Sequence, residues 1–190
     1  VDISPIFALV GGASFIIAFA MQETLGNLAA GLMIMINRPI DEGDYITAAG
    51  TSGTVNSVSV VSTTVTTPDN QIIVIPNSKV WGDVITNSTA TDRRRVDLVF
   101  GIDYDDDQDK AIEAILETAR ADDRVLSDPE PWARVTNLGD SSVDLTTRVW
   151  CRAEDYWELK FALTKAVKLA FDKNGISIPY PHSVEIQRPG

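Results

Sequence analysis

The chain has 190 residues, of which 44% are hydrophobic and 23% are charged, so one or two domains fit beside a membrane segment. Its formal net charge of −11 argues against nucleic acid as a partner, because phosphate binding needs clustered lysine and arginine. The single cysteine, Cys151, excludes an internal disulfide framework and any multi-cysteine metal site.

Residues 1–22 are typical of a transmembrane helix. No charge occurs between Ile3 and Gln22, and about 20 apolar residues in a helix span the hydrocarbon core of a bilayer. Because the chain begins without Met and enters this segment at once, we expect further residues, such as more transmembrane helices, to precede Val1. A signal anchor and a buried helix of a soluble core are the alternatives for this segment.

The same segment is rich in small residues, which let transmembrane helices approach one another closely. They form two neighbouring ridges of the helix and comprise Ala8, Gly11, Gly12, Ser14 and Ala18. Two large side chains, Phe15 and Phe19, lie one turn apart between the ridges. This pattern predicts packing of the helix against other helices in an oligomer.

A second uncharged run, residues 24–37, is too short to span a bilayer. We predict a polar break at Glu23 and then an amphipathic helix over residues 23–38, lying at the membrane interface. Arg38-Pro39 ends it, because proline cannot continue a helix and restricts the residue before it.

Residues 39–90 have a β pattern of β-branched segments between Gly, Pro, Asn and Asp. Pro68-Asp69-Asn70 is a tight-turn signal between two of these segments, so we expect a hairpin there. Five short strands with no room for a helix predict a small all-β barrel or sandwich.

Residues 91–182 alternate strand and helix patterns. The predicted elements are strands at Val96–Phe100, Trp132–Leu138 and Val143–Trp150 and helices at Asp107–Ala121 and Asp155–Lys173. This βαββα order predicts a ferredoxin-like α+β domain. Residues 183–190 would add one last short strand at Ser183–Arg188.

Constellations for catalysis are absent from the sequence, so we predict no enzyme, no cofactor and no metal. The only histidine, His182, lies in a terminal turn. The acidic run Asp103–Asp109 starts with EF-hand spacing, but Gln108 and Ala114 stand where the loop needs Gly and Glu. The stronger interpretation is that these carboxylates cap the helix that begins near Asp107.

A series of short motifs runs along the chain in a specific order and spacing. It consists of Gln22 with Asn27–Gly31, Arg38-Pro39, Gly43–Ile46, Gly53–Val55, Ser62–Thr64, Ile73–Asn77, Tyr104-Asp105 and Gly175–Pro181. Each motif is weak alone, but together, from Gly11 to Glu185, they resemble the small-conductance mechanosensitive channel (MscS) family.

The resemblance implies a homoheptameric channel in the plasma (inner) membrane, whose partners are the bilayer and the permeating ions and small solutes. The first helix would line the pore, and the second would lie along the membrane surface. The β and α/β domains would build a hollow cytoplasmic vestibule with side portals, closed by a strand around Val184–Gln187. Such a channel opens under membrane tension and releases solutes in hypoosmotic shock.

The resemblance also assigns roles to individual residues. Phe15 and Phe19 match two apolar gate residues, and the positions tied to the kink, closure and desensitisation are Gln22, Glu23, Gly26, Asn27 and Gly31. Two departures stand out: Glu23 replaces a frequent hinge glycine, and Ile16 replaces a small ridge residue.

Glu23 has two possible roles. A ring of its carboxylates at the pore mouth would attract cations; alternatively, it caps the first turn of the second helix.

Two rival functions stay open at this point. A membrane-tethered sensor or interaction module would use the helix only as an anchor, which the Gly and Ala content of the helix disfavours. A membrane-linked enzyme is disfavoured by the missing catalytic residues.

Overall fold

The computed structural model describes residues 4–183, which fall into two compact units divided between Ala90 and Thr91. The predicted terminal strand around Val184–Gln187 lies outside the described residues. The first unit contains one long helix, α1 (Ser4–Asn37), a five-stranded sheet and a short helix. The second unit contains a three-stranded sheet and two helices.

Helix α1 runs for 34 residues without interruption, so the predicted separation into helices 1–22 and 23–38 is wrong for this structure. The charge of Glu23 interrupts the hydrophobic run, but it does not interrupt helical hydrogen bonding. Glutamate and leucine favour helices, and Gly26 costs only about 1 kcal/mol relative to alanine. The helix ends before Pro39, as predicted, with Arg38 in the left-handed region (φ 48°).

The sheet of the first unit is antiparallel, with the strand order β4-β3-β2-β1-β5. Its strands are β1 (Tyr45–Ala48), β2 (Thr51–Val58), β3 (Ser62–Thr66), β4 (Ile72–Pro76) and β5 (Thr86–Asn87). Alternate strand residues such as Ile46, Val55 and Val65 are buried and form one core with Ile34 of α1. The predicted small β domain is therefore confirmed, including the turn at residues 68–70, where Asn70 has φ 65°.

A short helix, α2 (Asn77–Trp81), lies between β4 and β5, where the sequence predicted no helix. Five residues are too few to show a 3.6-residue hydrophobic period, so the pattern gave no signal. Val80 of α2 is fully buried in the core of the first unit.

The second unit has the predicted βαββα order, which confirms the ferredoxin-like α+β architecture. Its elements are β6 (Arg93–Ile102), α3 (Gln108–Arg120), β7 (Trp132–Leu138), β8 (Val143–Arg152), a 3-10 turn (Ala153–Asp155) and α4 (Tyr156–Asn174). The strands are antiparallel in the order β6-β8-β7. One face of this sheet packs on α3 and α4 through residues such as Phe100, Leu145 and Phe171.

The start of α3 and the end of α4 follow from residues that are close in the sequence. The Asp107 carboxylate accepts hydrogen bonds from the backbone N–H groups of Asp109 and Lys110, so one member of the acidic run caps α3 as predicted. Asp103 and Asp106 accept instead from the N–H groups of Asp105 and Ser177. Helix α4 ends at Asn174 because Gly175 takes the left-handed conformation (φ 68°). Among the described residues, no group of three or more His, Cys, Asp or Glu side chains is placed to hold a metal ion.

Cys151 is fully buried in β8, which extends two residues beyond the predicted strand Val143–Trp150. Burial raises the pKa of its thiol, with the charge of Asp155 adding to the effect. The thiolate is the reactive form of cysteine, so this side chain is inert in the folded chain.

Candidate functional site

The first half of α1 presents an apolar surface that the described part of the chain leaves uncovered. The side chains of Phe15 and Phe19 are 73% and 71% exposed. A methyl group added at Gly11 or Gly12 would meet no atom within 4 Å. The segment Leu9–Asn37 is long and apolar enough to cross a membrane. A core helix of a soluble protein would bury such residues, so this surface suits lipid or further helices.

For Ala8 only the helical backbone is described, whereas Ser14 and Ala18 are exposed together with the two glycines. Gly11, Gly12, Ser14 and Ala18 therefore make no contact inside the described chain that would explain their small size.

Five predicted site residues share one row of α1. Residues four apart lie about 40° apart around a helix, so they stack as a slowly winding ridge. The members of the row are Phe15, Phe19, Glu23, Asn27 and Gly31. The first three are exposed, Asn27 is half-buried, and Gly31 is buried. The row thus leads from an uncovered surface into the packed part of the first unit.

Asn27 connects α1 to α2 through a hydrogen bond. Its Oδ1 accepts from the backbone N–H of Ser78 at 2.9 Å. Helix α2 begins after Pro76, whose side chain cannot cap it. The side chain of Asn27 therefore satisfies a free N–H group at the start of α2, the task that an N-cap residue usually performs.

At Gly31, helix α1 approaches the β2–β3 turn closely. A Cβ atom at this position would lie 2.1 Å from the carbonyl oxygen of Val60 and 2.5 Å from Nδ2 of Asn77. Real side-chain atoms do not approach so closely, so only glycine fits without a shift of the backbone. Ile34, one turn further along, is fully buried in the core of the same unit.

Asn77 faces Gly31 from α2 and is fully buried. Its Nδ2 donates to the carbonyl oxygen of Ser59 at 2.9 Å, and its Oδ1 accepts from the Thr63 hydroxyl at 2.9 Å. Its backbone N–H donates to the carbonyl oxygen of Val61 at 3.0 Å. With both polar side-chain atoms and the backbone N–H of Asn77 paired, this buried network fixes the turn that faces Gly31.

No role was predicted for Val60, Asn77 or Ser78. The one signal was the motif Ile73–Asn77, which ends at Asn77 and contributed to the family resemblance.

Residues 39–44, which follow α1, are hydrogen-bonded to the sheet of the first unit. Nδ2 of Asn87 donates to the carbonyl oxygen of Pro39 at 3.2 Å and to the Asp44 carboxylate at 2.8 Å. Burial alone would raise the pKa of Asp44, but hydrogen bonds from the backbone N–H of Asp41 and from Asn87 and Thr89 outweigh it and lower that pKa. The carboxylate is therefore ionised at neutral pH, and its bonds to the Asp41 N–H, Asn87 and Thr89 hold the segment after α1 against β5.

Glu23 lies in the interior of α1 with an exposed side chain. The interpretation of Glu23 as a cap of a second helix is wrong for this structure, because no helix begins there. In the interior of a helix, every backbone N–H donates to a carbonyl group of the same helix. No free N–H group near Glu23 therefore needs a cap. Its carboxylate is instead one turn beyond Phe19 on the exposed part of the row.

Replacing Asn27 with alanine is expected to loosen the start of α2. Loss of a capping acceptor costs about 0.5–2 kcal/mol. About 1 kcal/mol corresponds to roughly fivefold more frequent local opening. Hydrogen exchange of the peptide that contains Ser78 should speed up by that factor.

The control for this prediction is Asn27→Asp, which keeps an oxygen at the same position. It should retain the slow exchange of the parent protein. Equal exchange in Asn27→Ala and the parent would show that the hydrogen bond to Ser78 contributes nothing.

Comparison with known protein families supports one assignment for both units. A family model described as "Mechanosensitive ion channel, beta-domain" matches residues 23–90. A second, described as "Mechanosensitive ion channel MscS, C-terminal", matches residues 96–178. Together the two models cover most of the chain.

Individual relatives agree with the family models. An uncharacterized MscS family protein of Archaeoglobus fulgidus is 37% identical over 96% of this chain and 65% of its own length. A small-conductance mechanosensitive channel of Edwardsiella ictaluri is 36% identical over 89% of this chain and 59% of its own length. The chain thus spans less than two thirds of the length of these curated relatives.

Solved structures show the same relationship. The crystal structure of Helicobacter pylori MscS in a closed state superposes with a TM-score of 0.92 at 27% identity, covering 100% of this chain and 76% of that one. The cryo-EM structure of Arabidopsis thaliana MSL1 matches with a TM-score of 0.78 at 26% identity, covering 95% of this chain and 67% of that one. The agreement of domain order, sequence and fold leads to one conclusion: the chain belongs to the MscS family of mechanosensitive ion channels.

Proposed function

We propose that this chain forms the pore helix and the two cytoplasmic units of a homoheptameric channel that membrane tension opens. Opening would release ions and small solutes during hypoosmotic shock, across a plasma (inner) membrane with both units on the cytoplasmic side. The observation that carries the proposal is the division of α1. Its first half is apolar and uncovered, and its second half is locked to the β unit at Asn27, Gly31 and Ile34.

Several copies are needed because one helix cannot enclose a pore. The glycines and small residues of α1 leave its surface open for close packing against neighbouring copies. Identical contacts repeated head to tail close into a ring when the rotation between copies allows it. In such a ring, one copy of Phe15 and Phe19 per subunit would build a narrow apolar constriction.

The proposed gate works by excluding water. A narrow apolar constriction dewets, and ions then cannot cross it because they would lose their hydration. Tension does work in proportion to the in-plane area that the protein gains, so it favours the wider state, as a ligand favours the state it binds better. The contacts of Asn27 and Gly31 would pass the movement of α1 to the β unit, and they support the proposed roles of these two residues in closure and desensitisation. We propose the same role for Gln22, Glu23 and Gly26 from their place beside them in α1.

The test has two steps. Native mass spectrometry of the detergent-solubilised protein should show a ring of seven copies, and patch-clamp recording of the reconstituted protein should show channels that open under suction. A monomer or dimer in the first step would contradict the proposal and favour a membrane-tethered sensor or interaction module.

Glu23 is the proposed selectivity residue of this channel. One carboxylate per subunit would lie one turn below Phe19, and acidic rings attract cations. Replacing Glu23 with glutamine should therefore move the reversal potential in a salt gradient toward zero or toward anions. The shift should shrink at high ionic strength, because about 0.15 M salt screens charges beyond about 8 Å.

The matched control is Glu42→Gln, which removes one exposed carboxylate outside α1. It should leave the reversal potential unchanged. An unchanged potential in Glu23→Gln as well would remove Glu23 from the selectivity argument and leave the vestibule portals as the candidate filter.

A further inference from the structure

Three polar side chains join the segment that follows α1 to the segment that leaves the first unit. Asp44 lies directly before β1, Asn87 ends β5, and Thr89 lies directly before Ala90, where the first unit ends. We call the side chains of Asp44, Asn87 and Thr89 the polar junction. It ties together two segments of the chain that are more than 40 residues apart, since Asp44 and Asn87 are separated by 43 positions.

The carboxylate of Asp44 accepts hydrogen bonds from both segments. Its Oδ2 accepts from the backbone N–H of Asp41 and from Nδ2 of Asn87, each at 2.8 Å. Its Oδ1 accepts from the Thr89 hydroxyl at 3.1 Å. Hydrogen bonds to an ionised group are stronger than those between neutral groups, so this carboxylate is the centre of the polar junction.

The two other side chains of the polar junction also bind backbone groups. Nδ2 of Asn87 donates to the carbonyl oxygen of Pro39 at 3.2 Å, and the Thr89 hydroxyl accepts from the N–H of Tyr45 at 2.9 Å. Oδ1 of Asn87 accepts from the N–H groups of Thr89 and Ala90 at 3.0 and 2.9 Å. The amide of Asn87 therefore binds the segment after α1 through its nitrogen and the leaving segment through its oxygen.

The end of α1 cannot move without straining these bonds. Helix α1 ends at Asn37, and only Arg38 separates it from Pro39, whose carbonyl oxygen is bonded to Asn87. The ring of proline fixes its φ angle, so this short connection has few ways to absorb a displacement. Ile40, the next residue, is buried in the core of the first unit. A displacement of the end of α1 therefore reaches the polar junction.

Another polar contact in the same segment is too exposed to have this effect. Arg38 and Asp41 form an ion pair at 3.0 Å, but their side chains are 70% and 53% exposed. Exposed ion pairs contribute little, because water and salt screen them. The hydrogen bond between Asn87 and Asp44 is partly buried, so water competes with it less.

We propose that the polar junction holds α1 in the closed position of the channel, with Asn87 and Asp44 as positioning residues. The inference rests on the proposed function, since it assumes that α1 moves when the channel opens. The chain superposes on Helicobacter pylori MscS in a closed state, so we assign the bonds of the polar junction to that state. A contact shifts an equilibrium only by the difference in its energy between two states, and strain on the junction as α1 moves supplies that difference.

Asn87→Asp tests the polar junction. It keeps the size of the side chain and the oxygen that accepts from Thr89 and Ala90, but it replaces Nδ2 with a second oxygen. That oxygen faces the Asp44 carboxylate and the Pro39 carbonyl oxygen, so two attractions become repulsions. In patch-clamp recording at the suction that half-opens the parent, the ratio of open to closed time should rise at least about tenfold.

The matched control is Asn137→Asp in the second unit. Nδ2 of Asn137 donates to the Asp144 carboxylate at 2.8 Å, the same distance as between Asn87 and Asp44. The substitution therefore places the same two carboxylates against each other and adds the same charge, but away from α1. Asn137→Asp should open at the tension of the parent.

A double variant separates positioning from a general loss of stability. Asp44→Asn combined with Asn87→Asp exchanges the two side chains, so an amide can again donate to a carboxylate across the polar junction. The double variant should gate closer to the parent than Asn87→Asp alone. Two unrelated destabilising changes would instead add their effects.

The outcomes distinguish this inference from the proposed function. A parent protein that does not open under suction overturns the proposed function and the inference with it. If the parent opens and Asn87→Asp opens at the same or a higher tension, the inference is overturned and the channel proposal stands. An equal shift in Asn137→Asp overturns the inference as well, and so does a double variant that gates farther from the parent than Asn87→Asp.

Two milder variants repeat the test if Asn87→Asp does not assemble. Thr89→Val removes the hydroxyl that bonds to Asp44 and Tyr45, whereas Thr89→Ser keeps a hydroxyl there. The valine variant should open at a lower tension, and the serine variant should stay close to the parent. Equal opening tensions in these two variants would overturn the inference.

Discussion

Replacing Phe19 with serine is expected to lower the tension at which the channel opens. In the proposed closed state, each copy of Phe19 buries its ring against its neighbours in a constriction that excludes water. Burial of a phenylalanine ring contributes about 1.5–3 kcal/mol per side chain, and the serine variant would lose this in every copy. A hydroxyl group also wets the constriction, so the barrier to ions falls. Patch-clamp recording with stepped suction measures the change.

Ile17→Ser is the matched control for Phe19→Ser. Both residues lie on the uncovered half of α1, and their side chains are 61% and 71% exposed in the single chain. Two residues along a helix correspond to a rotation of about 200°, so Ile17 points to the other side of α1. It should leave the opening tension close to that of the parent. If Phe19→Ser opens like the parent, the gate lies elsewhere or the rings face lipid.

The strands and helices that the sequence predicted well are those with strong local signals. Helices α3 and α4 begin and end within one or two residues of prediction, because Asp107 and Gly175 cap them with groups close in the sequence. The β unit followed from β-branched segments and turn residues. Local chemistry thus determines these elements before tertiary contacts form.

The errors arose where the determinant is not local. Helix α2 is too short for periodicity, and its capping group comes from Asn27, 51 residues away from Ser78. The helix break at Glu23 was predicted because its charge ends the hydrophobic run. A charged residue does not prevent helical hydrogen bonding, so the helix continues. The size and spacing of Phe15 and Phe19 are visible in a sequence, and their role as a gate stays a prediction. The contact between Gly31 and Val60 could not be predicted, because it depends on how α1 lies on the turn.

The two halves of α1 differ in the contacts that fix their position. Residues 27–34 are fixed inside one unit by a hydrogen bond, a glycine contact and the buried side chain of Ile34. The first half lacks such contacts among the described residues, so in the proposed channel its position would depend on lipid and on other copies. Tension would then move the free half of α1, and the fixed half would transmit that movement to the β unit.

Replacing Gly31 with alanine tests this fixed half. In most helices a glycine-to-alanine change is stabilising by about 1 kcal/mol, because alanine is the better helix former. At Gly31 the new methyl group would lie 2.1 Å from the carbonyl oxygen of Val60. Forcing extra atoms into a packed site costs about 1–3 kcal/mol or more. We therefore expect Gly31→Ala to be destabilising.

The turn that carries Val60 cannot move away cheaply. Its neighbours Ser59 and Val61 each accept a hydrogen bond from buried Asn77, so a shift of the turn breaks bonds whose loss leaves buried polar groups unpaired. Helix α1 must move instead, and that movement strains the bond between Asn27 and Ser78. Thermal unfolding in detergent should show a midpoint lower by several degrees, since about 1 kcal/mol corresponds to roughly 2–4 °C in a chain of this size.

Gly26→Ala is the control that separates packing from helix propensity. Gly26 lies in the same helix, and a methyl group there would meet no atom within 4 Å in the chain. It should keep or raise the midpoint, by about 1 kcal/mol of helix propensity at most. Opposite signs for the two variants would establish that Gly31 is retained for the close approach to Val60. If Gly31→Ala raises the midpoint as Gly26→Ala does, α1 does not rest on this turn, and the proposed route from the gate to the β unit loses its first contact.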